Sequence, residues 1–293
     1  MTNIAVLLTV HNRAERTVTC LNSLFVAFED SKFQLDVFLT DDGSTDGTET
    51  IICNTFPHKS ISVLHADGNL YWNGGMINSW KAAISRKEYD GYLLLNNDVE
   101  IMPNLASELL AADNFSMDKF NKRGIYVGSV KSKDTGLFTY GGFSFTNKLS
   151  LSDRIVMPNG SFQTCQCAHA NILFVSDSVV KQQGIFYEGY IHGGTDHDYT
   201  YLAYKAGFPI IVLREFVGFC ENDHTSKGTL LDSSLSLKER IAYLKSPHGL
   251  NLSNTLLFQK RCFPWRLPFA WAMAYLKVLF PKLGNNIYRI VRR

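Results

Sequence analysis

The sequence predicts an α/β fold, a mainly parallel sheet with helices on both faces, followed by a helical C-terminal extension. Three observations carry this reading. Apolar runs alternate with segments of helical period through the first hundred residues, in the β-α-β-α-β-α-β order of parallel strands and crossover helices. A polar cluster closes each apolar run, at the strand ends where such sheets bind ligands. Beyond about Ser226 the pattern turns helical and aromatic, with no repeats or low-complexity tract.

Ile4–Val10 is a continuous apolar run, as a strand covered on both faces requires. Arg13–Phe28 reads as a helix, because Val18, Leu21, Leu24, Phe25 and Phe28 recur at three- and four-residue spacing. Leu35–Thr40 is a second strand, and a short helix begins near Asp46. Ile61–His65 is a strand, about Gly75–Arg86 a helix, and Gly91–Leu95 a strand. His11-Asn12, Asp41-Asp42, Asp67–Asn69 and Asn96–Asp98 are the polar clusters at the strand ends. In the less regular second half, Gly124–Val130 and Leu137–Phe145 read as strands, with a bulge or bend at Gly141-Gly142. Asn171–Val175 is a strand and Asp177–Gln183 a helix. Gly193-Gly194 precede a helix running from Thr195 through Ala206, which Gly207 is placed to stop. Pro209–Leu213 is a further strand. The chain therefore divides into a body, 1–225, and an extension, 226–293.

Of the 293 residues, 45% are hydrophobic and 13% aromatic, enough for a sizeable core and unlike a disordered chain. The net charge of +2 is unevenly spread. No Asp or Glu follows Glu239, and the ten Lys and Arg residues after it leave the first 239 residues at about −8. An acidic body with a basic tail argues against nucleic-acid binding and for a tail that meets an anionic surface. Met1-Thr2-Asn3-Ile4 lacks the basic flank and apolar run of a signal peptide. The apolar stretch Leu267–Leu276 contains Pro268 and falls far short of the ~20 residues that span a bilayer. Six scattered cysteines do not read as a disulfide framework. Cys165-Gln166-Cys167 with His169 lacks the spacer of a zinc knuckle. Reduced, partly buried cysteines in a cytoplasmic protein are expected.

Asp41-Asp42-Gly43-Ser44-Thr45-Asp46-Gly47-Thr48 ends a strand and begins a helix. Asp, Ser and Thr serve there as turn and cap residues. Two adjacent carboxylates exceed what a cap requires, and one fixed at a strand end can accept the base N–H of a nucleotide. Asn96-Asn97-Asp98 follows the most apolar strand. It is either a polar strand end or a carboxylate aimed at a divalent cation held mainly by diphosphate oxygens. Asp196 and Asp198 stand two apart, so on a helix they do not share a face. Both suit a helix N-terminus, and Asp198 is expected to act mainly there. Asp196, in a capping position after Gly193-Gly194, can also take a proton from an acceptor hydroxyl. Gly68–Met76 reads as a Gly-rich loop entering a helix, able to present N–H groups to phosphate. It has neither the Gly-Lys-Ser/Thr ending of a P-loop nor G-x-G-x-x-G. Trp72 in that loop suits either the core or a face for stacking a base or sugar. Taken singly, His11, His169, His192, His197 and His224 read as ordinary loop or core histidines.

In order, Thr9–Arg13, Asp41–Thr48, the Gly68–Asn78 loop, Leu95–Asp98 and Asp196-x-Asp198 resemble the motifs of family-2 glycosyltransferases. Those enzymes have the GT-A fold, built on a Rossmann-like α/β sheet, and the resemblance covers roughly residues 3–225. With Asn69–Met76 and Pro247-His248-Gly249-Leu250-Asn251, the chain is similar to the bacterial branch that builds O-antigen, capsule or other surface polysaccharide. The resemblance implies an inverting transfer of a hexosyl or deoxyhexosyl group from a nucleoside-diphosphate sugar, UDP- or dTDP-linked. The acceptor is a hydroxyl of a glycan or lipid-linked glycan, and Mg²⁺ or Mn²⁺ neutralises the leaving diphosphate. About 1–100 forms the nucleotide-sugar half and 101–225 the acceptor half. By position, Asp41 or Asp42 binds base and ribose, with Thr9, His11, Asn12, Arg13, Asn69, Trp72, Asn73 and Asn97 around the donor. Asp98 matches the metal-binding Asp that ends the family's D-x-D, and Asp196 the catalytic base. The earlier D-x-D carboxylate is an amide here, which leaves metal affinity more dependent on the donor. His224 is the candidate for a late metal-binding histidine.

A nucleotidyltransferase of similar fold would carry a Gly-rich loop with Arg and Lys directly after the first strand. This chain has Val10-His11-Asn12-Arg13 there. A non-catalytic sugar-nucleotide-binding relative would lack the base carboxylate, and Asp196 is present. In the tail, Phe263, Trp265, Phe269, Trp271, Tyr275 and Phe280 lie between Arg266, Lys277 and Lys282. Rings among cations suit a bilayer interface, and hence a peripheral place on the cytoplasmic face of the inner membrane. The alternatives are that this segment packs on the body or forms a homodimer contact.

Overall fold

A computed structural model describes residues 2–191, 193–222, 235–246 and 251–283. The first half runs β1 (Asn3–Val10), α1 (Ala14–Phe28), β2 (Gln34–Asp42), α2 (Thr48–Thr55), β3 (Ile61–Ala66), α3 (Tyr71–Arg86) and β4 (Gly91–Leu95). Next come β5 (Glu100–Ile101), α4 (Leu105–Phe120), β6 (Ile125–Lys131), β7 (Phe138–Tyr140), β8 (Gly142–Asn147) and β9 (Ser152–Val156). They are followed by β10 (Gln163–Thr164), β11 (Cys167–Ala168), β12 (Ile172–Ser176), α5 (Asp177–Gln183), α6 (Thr195–Lys205) and β13 (Ile210–Phe219). The extension holds α7 (Leu237–Lys245), α8 (Leu252–Cys262) and α9 (Leu267–Leu279).

The main sheet has the order β3-β2-β1-β4-β12-β6-β13-β10. β1 pairs in parallel with β2 and β4, β2 with β3, and β6 with β13. β12 runs antiparallel between β4 and β6. The sheet is thus mainly parallel, as the β-α alternation predicts. The strand order reverses between β1 and β4, which opens a crevice beyond their carboxyl ends. Because β12 is antiparallel, its start lies where β4 finishes, with Ile172 opposite Leu95.

Alternate residues of each strand feed two cores. Val6, Leu8, Leu39, Leu93 and Phe174 pack with Leu21 and Leu24 of α1 and Leu105 and Leu109 of α4. Ala5, Leu7, Phe38, Leu94 and Leu173 pack on the other face with Met76 and Trp80 of α3, Val179 of α5 and Tyr199 of α6. Helices therefore cover both faces. Two-sided burial is why these strands read as unbroken apolar runs rather than alternating ones.

A second sheet, β11-β8-β9, lies beside α6 and departs from the sequence reading. Leu137–Phe145 is not one strand: the chain leaves the main sheet after Tyr140 and enters the second at Gly142. A Cβ on Gly141 would stand 2.6 Å from Ser129 Oγ, and one on Gly142 2.6 Å from Val212 Cγ2. The two glycines let the chain cross between the sheets at close quarters. α3 begins at Tyr71, four residues before the expected start.

The extension is helical, as expected, and the boundary expected near Ser226 falls outside the described residues. Phe263 is buried with Phe143, Cys167, Tyr201 and Cys262, so this end of the extension packs on the body. Among the described residues, no helix is long and apolar enough to cross a membrane.

Candidate active site

Two polar networks form at the crevice, one at the end of β2 and one between β1 and β4. Asp42 points to the α3 side of the sheet, as Phe38 and Thr40 do, and is only 4% exposed. Its Oδ1 accepts the N–H groups of Gly68 (3.0 Å) and Leu70 (3.2 Å), and its Oδ2 that of Tyr71 (2.8 Å). Those are the amides read from sequence as a phosphate cradle. They hold a carboxylate of the chain itself, which caps α3 and steadies Tyr71 at φ +52°. Asp41 faces the α1 side. One oxygen accepts Ser44 N–H at 2.8 Å, and Oδ2 makes no hydrogen bond to described residues. Asp42 therefore has both carboxylate oxygens engaged by the chain, and Asp41 has one.

His11 Nδ1 donates to the Asp42 carbonyl at 2.7 Å, which leaves Nε2 to accept from Asn12 Nδ2 at 3.1 Å. Asn12, at φ +50°, accepts Thr45 N–H at 2.7 Å and donates its own N–H to Ser44 Oγ at 3.0 Å. Asp46 accepts from Ala14 N–H at 3.1 Å and Thr48 N–H at 3.1 Å, so one side chain caps α1 and α2 together. The Thr48 hydroxyl, then those amides, hold its carboxyl below the usual range despite some desolvation. His11, Asn12 and Asp46 thus rigidify the loops around Asp41.

In the second network, Arg13 Nη1 pairs with Asp98 Oδ2 at 3.0 Å. Cys220 Sγ lies 3.8 Å from Asp98 Oδ1. Asn96 Oδ1 accepts the indole N–H of Trp72 at 2.8 Å, and Thr9 Oγ1 donates to the Trp72 carbonyl at 3.5 Å. The Trp72 ring packs 5.7 Å from Phe186 and stays partly exposed. Thr9, Arg13, Trp72 and Asp98 are thereby brought together. Asn69 is exposed on the loop before α3. Asn97 and Asn73 turn away from the crevice. Asn97 is 7% exposed and donates to Thr17 Oγ1 at 3.1 Å, while Asn73 donates to the Tyr187 and Tyr190 carbonyls. His224 lies outside the described residues.

Asp196 sits in the first turn of α6, whose N-cap Gly194 adopts φ +82°. Its Oδ2 accepts Ala170 N–H at 3.2 Å and its Oδ1 His197 N–H at 2.9 Å. The carbonyl of neighbouring Asn171 accepts Asn96 N–H at 3.0 Å. Antiparallel β12 thus ties Asp196 to the end of β4 that carries Asp98. Asp196 is partly exposed, with its side chain 15% accessible, as proton exchange with a ligand requires. His197 Nε2 is 3.9 Å from Asp196 Oδ1, and the His197 ring packs against Phe143 and His169. Burial, then the charge of His197, push the His169 imidazole below its ordinary range.

Asp198 stands in the first turn of α6, as expected, and also pairs with the C-terminal helices. It is 2% exposed, and Arg261 Nε of α8 donates to both its oxygens at 3.0 and 2.9 Å. Burial pushes its carboxyl above the ordinary value, and Arg261 pulls it back in part. Arg266 is also buried, donating from Nε to the Leu149 carbonyl at 2.8 Å, so it is not a surface cation. No local signal in the sequence marks the Arg261 pair or the Arg266 contact with Leu149, because Asp198 and Leu149 are distant along the chain.

Residues 5–168 match Glycosyl transferase family 2. No curated protein sequence matches the chain. Among solved structures, a mannosyltransferase from Pyrobaculum calidifontis, PcManGT, in complex with GDP-Man and Mn²⁺, is similar at 16% identity and TM-score 0.52. That match covers 99% of this chain and 82% of the other. S. aureus TarS 1–349 is similar at 14% identity and TM-score 0.56, covering 100% of this chain and 90% of TarS 1–349. TarS 1–349 in complex with UDP-GlcNAc gives 15% identity and TM-score 0.55 over the same shares. At such identities the likeness speaks for the fold, here GT-A. The family match spans more than half of the sequence, from β1 to β11, and includes the Asp41-Asp42 turn, the Trp72 helix and the Asn96–Asp98 corner. The chain belongs to glycosyl transferase family 2.

Proposed function

We propose that this chain is an inverting, metal-dependent glycosyltransferase of bacterial surface-polysaccharide synthesis. It moves a hexosyl or deoxyhexosyl group from a UDP- or dTDP-linked donor to a hydroxyl of a glycan or lipid-linked glycan. The observation that supports this most is the tie through β12. A partly exposed carboxylate, Asp196, and the Asp98–Arg13 pair stand at one end of one sheet, at the β1/β4 switch point.

The free oxygen of Asp41 accepts a base N–H or a ribose hydroxyl, and the indole of Trp72 offers a partly exposed ring beside the donor. Arg13 meets a phosphate oxygen. In the attack, the acceptor oxygen bonds to the anomeric carbon, the bond to the diphosphate oxygen breaks, and Asp196 takes the hydroxyl proton. Approach opposite the leaving group inverts the centre. Among the described residues, no three His, Cys, Asp or Glu side chains gather into a metal site. One partly exposed carboxylate, Asp98, fits a divalent cation that takes its other oxygens from diphosphate and water. Such a cation, when bound, neutralises charge on the departing diphosphate. Asn96, a neutral amide, supplies no charge to it, and its side-chain oxygen already accepts from Trp72. Six free cysteines, five of them buried, suit a reducing, cytoplasmic setting.

A donor panel of UDP-hexoses, UDP-N-acetylhexosamines and dTDP-rhamnose tests this with Mn²⁺. Release of nucleoside diphosphate from one donor supports the reading. Consumption of added pyrophosphate to give nucleoside triphosphate and sugar 1-phosphate would indicate a nucleotidyltransferase, and binding without turnover a sugar-nucleotide-binding protein.

A further inference from the structure

The extension carries an apolar face that the body does not cover. α9 turns Ala274 and Val278 inward against Leu244 of α7. Its outer side presents Pro268, Trp271, Ala272, Tyr275 and Leu279, three or four residues apart and therefore in one stripe. Trp271 is 54% exposed, and its ring lies 4.7 Å from that of Tyr275. Trp265, Phe269 and Phe280 flank the stripe and are also exposed. Scattered apolar residues on a surface are ordinary, but a contiguous aromatic stripe marks a docking face.

Charge selects the occupant. Lys245, Lys260 and Lys282 are exposed, and no acid follows Glu239, although Arg261 and Arg266, two of the ten Lys and Arg there, are taken up by Asp198 and the Leu149 carbonyl. An isologous contact through this face would bring two such cationic segments together. Aromatic rings among cations instead match the headgroup layer of an anionic membrane, where each nearby Lys or Arg strengthens binding about fivefold. We propose that the outer stripe of α9 docks the protein on anionic lipid bilayers, lying in the interface plane.

α8 connects this face to α6 through Arg261 and Asp198, and Asn254 Nδ2 donates to the Gly193 carbonyl at 3.1 Å. Docking through α9 therefore holds the Asp196 helix at a fixed place beside the membrane. That consequence rests on the transfer reading; the docking itself does not.

The test is sedimentation of full-length protein with vesicles of phosphatidylcholine alone or mixed with phosphatidylglycerol, at low and high salt. The expected result is binding to the anionic vesicles, at least about tenfold weaker on neutral ones and weakened by salt. Trp271→Ser/Tyr275→Ser should weaken anionic binding by about tenfold or more, with thermal unfolding unchanged. Equal binding to neutral vesicles, no binding, or wild-type binding by the variant would overturn the proposal. So would a wild-type dimer that the variant loses, since the stripe would then meet a second copy. Sedimentation needs neither donor nor acceptor, so its failure is distinct from a failure of the transfer reading.

Discussion

Arg261→Met isolates the contact between the C-terminal helices and the helix that carries Asp196. Asp198 is 2% exposed, and the arginine Nε reaches both carboxylate oxygens. The variant leaves a buried carboxylate with the Cys262 thiol at 3.3 Å and no cation. Removing one partner of a buried pair costs about 3–5 kcal/mol. Arg261 keeps 28% of its side chain in solvent, which places the loss near 3 kcal/mol, the lower end of that range. Urea unfolding of wild type, Arg261→Met, Asp198→Asn and the double variant measures it. The double variant should recover much of the loss, giving a coupling of about 2 kcal/mol. The deficit should also depend on pH. Burial already raises the Asp198 carboxyl above its ordinary value, and loss of Arg261 raises it further. The folded chain then keeps a proton that the unfolded chain has released, so stability falls as pH rises between the two pKa values. The deficit is largest at pH 7–8 and shrinks as pH drops toward about 4. A deficit below about 1 kcal/mol, one that is flat with pH, or a double variant no better than Arg261→Met would refute this account.

Four further outcomes follow from the site. Asp42→Ala strips the acceptor from three amides where the chain enters α3 and should cost about 2 kcal/mol or more in thermal unfolding. Asp41→Ala should instead lose donor-induced stabilisation at little structural cost, and the reverse pattern would reassign the two residues. Asp98→Ala should abolish the Mn²⁺-dependent thermal shift with nucleoside diphosphate, and wild-type behaviour at limiting Mn²⁺ would remove Asp98 from the cation. Gly75→Ala places a Cβ 2.3 Å from Thr9 Cγ2 and should destabilise by about 1–3 kcal/mol, recovered in part by Thr9→Ala.

Burial on two faces made the central strands easy to read, and α5 falls on its expected bounds, Asp177–Gln183. The start of α3 was hidden because Gly74-Gly75 look like loop residues. Gly75 is there for close packing of the helix on β1, and the helix cap comes from Asp42, 29 residues before Tyr71. The second sheet escaped because β11 has two residues and β8–β9 alternate too little to stand out. At the site, Asp41, Asp98 and Asp196 were legible as carboxylates at strand and helix ends. Which oxygens remain free was not, since that depends on Ser44, Arg13 and Ala170. The role of Asp198 lies with Arg261, 63 residues away, beyond any local pattern.

Asp196→Asn, assayed by nucleoside-diphosphate release and by donor-induced thermal shift side by side, tests the central claim most directly. The carboxylate accepts the Ala170 and His197 N–H groups on separate oxygens, whereas the amide oxygen accepts only one of them, so thermal unfolding of the variant is compared with wild type alongside the assay. The amide cannot take the acceptor proton. Transfer should fall roughly 10²–10⁴-fold while the donor shift stays at its wild-type value. Wild-type turnover in that variant, or a larger loss from Asp198→Asn, would contradict the assignment of Asp196 as the base.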